Sequence, residues 1–225
     1  MAANKPELKL EVLSRVKQYY PIGLPYSNQH YAGYKELLGI VERKINDLLK
    51  NGRLEIWSSL VEQLGNRFPK DSIQDMAYQQ NPNLLLRVIL KSTSDNILER
   101  TRTVTICISL LSFYYTIFFV EELRPIGSVR AGFEPPVRTV WYSNASCEQE
   151  AKYFDLVDNL IRQYYPMHKF IDHYFLFKME ISGGIPHGED IEIGTVQNPS
   201  HKYSAFDFLF GLDDRIANRQ LIIYN

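Results

Sequence analysis

His187 stands in a glycine-rich segment, GGIPHGEDIEIG, beside Glu189, Asp190 and Glu192, with His201 a little further along. Imidazoles and carboxylates are ligand types for a divalent ion, and such an ion can activate water for hydrolysis. On that reading the chain is a metal-dependent hydrolase or nuclease with a composite site. Its candidates are His187, Glu189, Asp190 and His201, with His187, Asp190 and His201 as the metal ligands. The competing reading is a solvated acidic hairpin tip. His168 and His173 are five apart, and on a strand that spacing puts them on opposite faces, where they cannot chelate one ion together.

Other groups carry weaker chemistry. Glu121 and Glu122 follow an apolar run, where a carboxylate can act as general acid or base or simply mark the return of the chain to water. Arg124, Arg130 and Arg138 fall in RPIGSVRAGFEPPVR, a long Pro/Gly-rich loop that could grip an anionic partner. Tyr19, Tyr20, Tyr26, Tyr31 and Tyr34 cluster around the first loop. They suit a protein interface and equally a core with hydrogen-bonded hydroxyls. The chain contains no GxxxxGK[ST], GxGxxG, GxSxG, HExxH or CxxC pattern. That removes the commonest motif-bearing enzymes and leaves sites assembled from distant residues. Cys107 and Cys147, far apart, read as two free thiols, and no cofactor is expected.

The elements that must position these groups hang on Thr103–Val120, TVTICISLLSFYYTIFFV, which has no charged side chain. A spanning helix needs roughly 20 apolar residues. This run is shorter, and five of its positions are Ser or Thr. Val104, Ile106, Ile108 and Leu110 alternate with Thr103, Thr105, Cys107 and Ser109, the period of a strand. Two strands, Arg102–Leu111 and Phe113–Glu121, are therefore expected, although Ser112 is a poor residue for a tight hairpin. A single strand bulged near Ser112 is the alternative. A further strand, Leu84–Lys91, comes after the turn at Asn81-Pro82-Asn83.

Helical spacing predicts Pro6–Tyr20, Tyr34–Lys50 capped at Asn51-Gly52, and Arg53–Leu64, the last two as an antiparallel hairpin. A helix from a capping box at Ser146 to about Tyr165 is expected. Strands are read at Val137–Tyr142, Phe170–Glu180, around Tyr203–Phe210 and at Gln220–Tyr224. Helices come first and strands later, without βαβ alternation. The expected fold is α+β, one domain over 1–225, with a mostly antiparallel central sheet. An N-terminal helical hairpin (about 6–65) and one further long helix pack on the sheet-containing part (about 83–225).

Composition bounds the function. With 15 Tyr and 12 Phe in 225 residues the chain can build a sizeable core, and its net charge of −1 argues against nucleic acid as an obligatory partner. The first residues, MAANKPELKL, lack the apolar core of a secretory signal, so a cytoplasmic protein outside the membrane is expected.

The N-terminal helical pair after YPIGLPY, the central RTVTICISLLSFYYTIFFV strand pair and the late helix leading to a strand ending AFDFLF together resemble the layout of the small cytosolic α+β immunity proteins of bacterial toxin systems. The resemblance covers most of the chain and implies a non-catalytic module that binds one cognate toxin and blocks it. Glu189, Asp190 and Glu192 would then suit a basic partner such as a nuclease toxin. Arg124, Arg130, Tyr26 and Tyr31 complete the candidate contact residues.

Overall fold

The computed structural model describes residues 5–24, 27–126, 139–188, 202–211 and 221–224. Three helices open the chain: α1 (Lys5–Tyr19), α2 (Ala32–Asn51) and α3 (Glu55–Gly65). α2 stops as its sequence dictates. Gly52 adopts φ 67°, and its N–H bonds to the Leu48 carbonyl. α1 and α2 cross closely at Gly33, where a Cβ would lie 1.8 Å from the Gln18 carbonyl oxygen. Only a residue without a side chain fits there.

β1 (Ile73–Asp75), β2 (Asn83–Ser94), β3 (Leu98–Ser109) and β4 (Tyr114–Pro125) form an antiparallel run. The uncharged segment at 103–120 is a hairpin of β3 and β4, paired from Ile108 with Tyr115 to Leu98 with Pro125. The strands are joined by residues 110–113 rather than by a two-residue turn, which explains why no Gly, Asn or Asp is needed. β5 (Thr139–Ser143) pairs antiparallel with the second half of β4. β6 (Lys169–Phe170) pairs parallel with the first half, and β9 (Leu221–Tyr224) lies parallel to β5. The sheet order is β1-β2-β3-β4-β5-β9, with β6 beside β4.

Both faces of the central part of this sheet are covered. Leu84, Leu86 and Val88, with Val104, Ile106, Ile108, Tyr115, Ile117 and Phe119, pack against Trp57, Leu60 and Leu64 of α3 and against Val157 and Ile161 of α4 (Glu148–Tyr164). The alternate residues Leu85, Cys107, Tyr114, Phe118 and Val120 pack against α1, α2 and the late helices. Charge is excluded from the 103–120 run because neither face reaches water. Thr105, Ser109 and Thr116 on the second face are as buried as their apolar neighbours.

The α+β architecture, the mostly antiparallel sheet and the N-terminal helical pair are as expected. The packed pair is α1 with α2, while α3 packs with α4. α2 and α3 belong to different cores, on opposite faces of the sheet. Two expected strands are largely helical. β6 is succeeded by α5 (His173–Lys178) and β7 (Glu180–Ser182), and β8 (Lys202–Ser204) by α6 (Ala205–Phe210). Caps decide this against the strand preference of the aromatics. Asp172 accepts from the Tyr174 N–H, and Ser204 and Asp207 form a reciprocal capping box. All six residues of α6 are buried, so no amphipathic stripe marks it as a helix. His168 and His173 consequently do not share a strand: one precedes β6 and the other opens α5. At α4 the N-cap is Cys147, not Ser146. The Ser146 N–H and Oγ both donate to Glu150, one residue beyond the expected partner. No helix among the described residues is long and apolar enough to cross a membrane.

Candidate functional site

The most distinctive polar assembly lies where β2 begins, at the end of the sheet marked by Asn83 and Ser109. Lys44 occupies the inward face of α2, three residues after Val41, and is 5% exposed. Its Nζ donates to three main-chain carbonyls: Gln79 at 2.6 Å, Asn81 at 2.7 Å and Asn83 at 3.1 Å. An ammonium has three protons, and each meets one oxygen. Burial pushes the Lys44 pKa down to about 8, while the carbonyl dipoles favour the charged form. Lys44 is therefore a cation at neutral pH, without a lone pair for nucleophilic chemistry.

The carbonyl between these three serves another element. Gln80 O lies 3.0 Å from His187 Nε2, and His187 Nδ1 lies 3.0 Å from the Tyr34 hydroxyl. A carbonyl only accepts, so Nε2 carries a proton, and in the neutral ring Nδ1 accepts from the Tyr34 hydroxyl. Both ring nitrogens are thus engaged, and neither presents an open lone pair to a metal. The segment leading to His187 is also pinned. The Gly23 N–H donates to the Gly183 carbonyl at 2.9 Å, and Asn28 Nδ2 donates to the Ile185 carbonyl at 2.9 Å. Gly183 adopts φ 76°, and a Cβ there would lie 3.3 Å from the Gly23 backbone nitrogen, so the close approach of these two loops favours glycine at that position. Asn83 Nδ2 donates to the Phe210 carbonyl, which ties the end of α6 to the same turn.

The sequence candidates divide between two ends of the molecule. Tyr31 leads into α2 at the Lys44–His187 end, with its hydroxyl donating to the Lys17 carbonyl at 2.6 Å. Tyr19, Tyr20 and Tyr34 are core residues; the Tyr20 hydroxyl donates to the Phe208 carbonyl at 3.0 Å. Arg124 sits at the far end of β4, opposite Glu99, with Nη1 3.9 Å from that carboxylate. Along β3 the two ends are about 35 Å apart at the rise of a strand, so one compact site cannot contain both. Glu121 and Glu122 lie within β4, not after it, and Glu121 pairs with Arg100. Tyr26, Arg130, Arg138, Glu189, Asp190, Glu192 and His201 lie outside the described residues. Cys107 is buried and Cys147 exposed, and neither forms a disulfide among the described residues. Among the described residues, no three His, Cys, Asp or Glu side chains converge on a point that could hold an ion.

Sequence reasoning missed Lys44. Its signal was a lysine on the inward face of α2, in register with Tyr34, Leu37 and Val41. It also missed the pairing of Arg102 with Glu150, 48 residues apart. The assembly holds the 79–83 turn and His187 against α2; it offers no free nucleophile or base. No family model matches the chain, and no curated protein or solved structure matches it either.

Proposed function

We propose that the protein is a non-catalytic, cytoplasmic protein-binding module, an immunity protein that binds a cognate toxin and neutralises it. The contact surface is the Lys44–His187 end, with Tyr31 and the acidic residues Glu189, Asp190 and Glu192 that come after His187 in the chain. The observation that carries this reading is the engagement of His187. The one histidine beside that acidic cluster is held through both ring nitrogens, by Tyr34 and Gln80. It works as an anchor for the root of the cluster. Three carboxylates within four positions favour a basic partner and speed its encounter.

The test is co-expression with the product of the adjacent gene, then affinity measurement of the purified complex. The triple variant Glu189→Lys, Asp190→Lys, Glu192→Lys is expected to weaken binding at least about 100-fold at low salt. Its melting temperature is expected to stay unchanged, and the difference is expected to shrink as salt rises. Equal affinity of the variant and the original protein would overturn the contact surface. A rise in melting temperature with Mg²⁺, Mn²⁺ or Zn²⁺ would instead support a metal-dependent hydrolase.

A further inference from the structure

Consecutive carbonyls of the turn at 79–83 point in alternate directions. Those of Gln79, Asn81 and Asn83 converge on the Lys44 ammonium. That of Gln80 is left to face His187. Three carbonyl oxygens gathered on one point repel each other unless a cation or donors lie between them. The same helix holds the other side of the arrangement, because Tyr34, on the inward face of α2, bonds His187 Nδ1. α2 thus grips the turn with Lys44 and the histidine with Tyr34, and the Gln80–His187 bond closes the circuit.

We infer that Lys44 is a positioning residue, a tethered cation that holds the turn in the conformation offering Gln80 to His187 and so fixes the root of the acidic segment. This rests on the contact surface proposed above for its functional meaning, but the positioning itself can be read without a partner.

The His187 ring is monitored by ¹⁵N NMR, in parallel with affinity for the partner. In the original protein the ring is expected as the Nε2–H tautomer with a slowly exchanging proton. In Lys44→Met, which keeps the stem but removes the ammonium group, exchange of that proton is expected to accelerate at least about 100-fold as local opening becomes easy. Lys44→Ala is expected to behave alike, and n-propylammonium, which replaces the missing stem and charge, is expected to restore the slow exchange. Tetramethylammonium at equal concentration has no N–H and is expected to restore nothing. An unchanged His187 spectrum in Lys44→Met, or equal rescue by both cations, would overturn the inference. Should neither variant fold, the original protein still decides. The Lys44 ammonium must show scalar coupling to the carbonyl carbons of Gln79, Asn81 and Asn83, and a rapidly exchanging, uncoupled ammonium would refute it. A changed His187 spectrum with unchanged affinity would leave the positioning role intact and refute the contact surface instead.

Discussion

Replacing Arg102 by methionine is expected to destabilise the protein by about 3–5 kcal/mol, the cost of leaving a buried charge without its partner. Arg102 Nε donates to Glu150 Oε1 at 2.8 Å, and Nη2 donates to Oε2 and to Ser143 Oγ, both at 2.9 Å. The guanidinium also lies 5.3 Å from the centre of the Phe119 ring. The two side chains are only 15% and 11% exposed, so water cannot replace a lost partner. This fork joins β3, β5 and the start of α4. Glu150→Ala should cost a similar amount. The double change Arg102→Met, Glu150→Leu should cost less than either single change, because it leaves no stranded charge. Urea unfolding measures all three, and a loss below about 1 kcal/mol for Arg102→Met, the range of an exposed pair, would contradict the role assigned to these residues.

The same pair sets an acid limit. Burial alone would raise the Glu150 pKa. The hydrogen bonds from Arg102 and from Ser146 outweigh burial and hold it below its ordinary value of 4.5. A carboxyl depressed in the folded state contributes stability above its unfolded pKa and loses it as pH falls through the folded one. Stability should therefore fall below about pH 4.5, and less steeply in Arg102→Met.

Phe118→Ala is expected to cost about 3–5 kcal/mol through the cavity it leaves. Its ring stacks on His173 with centroids 5.2 Å apart and packs against Tyr142 at 5.5 Å. It also meets the edges of Phe177 and Phe206 at 6.0 and 6.1 Å. It is the point at which β4, α5 and α6 meet, and aromatic contacts of this kind add to plain burial. The variant should also change a pH dependence. Burial holds the His173 pKa well below its ordinary value, with Asp172 opposing. The unfolded chain then takes up the proton at a higher pH than the folded one, so stability falls as pH drops below about 6.5. Water admitted beside His173 in Phe118→Ala should flatten that slope. Chemical denaturation of both proteins across this acid-to-neutral range checks it. Parallel slopes would show that Phe118 does not shield the imidazole.

Much of the frame was legible because its signals are local. Alternation through Val104, Ile106 and Ile108 identified β3, and Asn51-Gly52 closed α2. The late helices were not legible. In six residues such as AFDFLF, buried on every side, helix and strand patterns coincide. Only the distant fact that α6 lies against β3, with Ser109 Oγ bonded to the Leu209 carbonyl at 2.7 Å, shows how it is used. Pairings across the chain were hidden for the same reason. No local pattern joins Arg102 to Glu150 or Lys44 to the 79–83 turn. A lysine on an apolar stripe was the one available sign that something unusual is buried there.

The placement of every residue discussed depends on the uncharged central run being a β-hairpin enclosed between two helical layers in water. Amide hydrogen exchange in detergent-free buffer tests this directly. The amides of residues 103–108 and 115–120 are expected among the slowest in the molecule, exchanging only through global unfolding. Exchange of either strand within seconds, or protection that exists only in detergent, would contradict it.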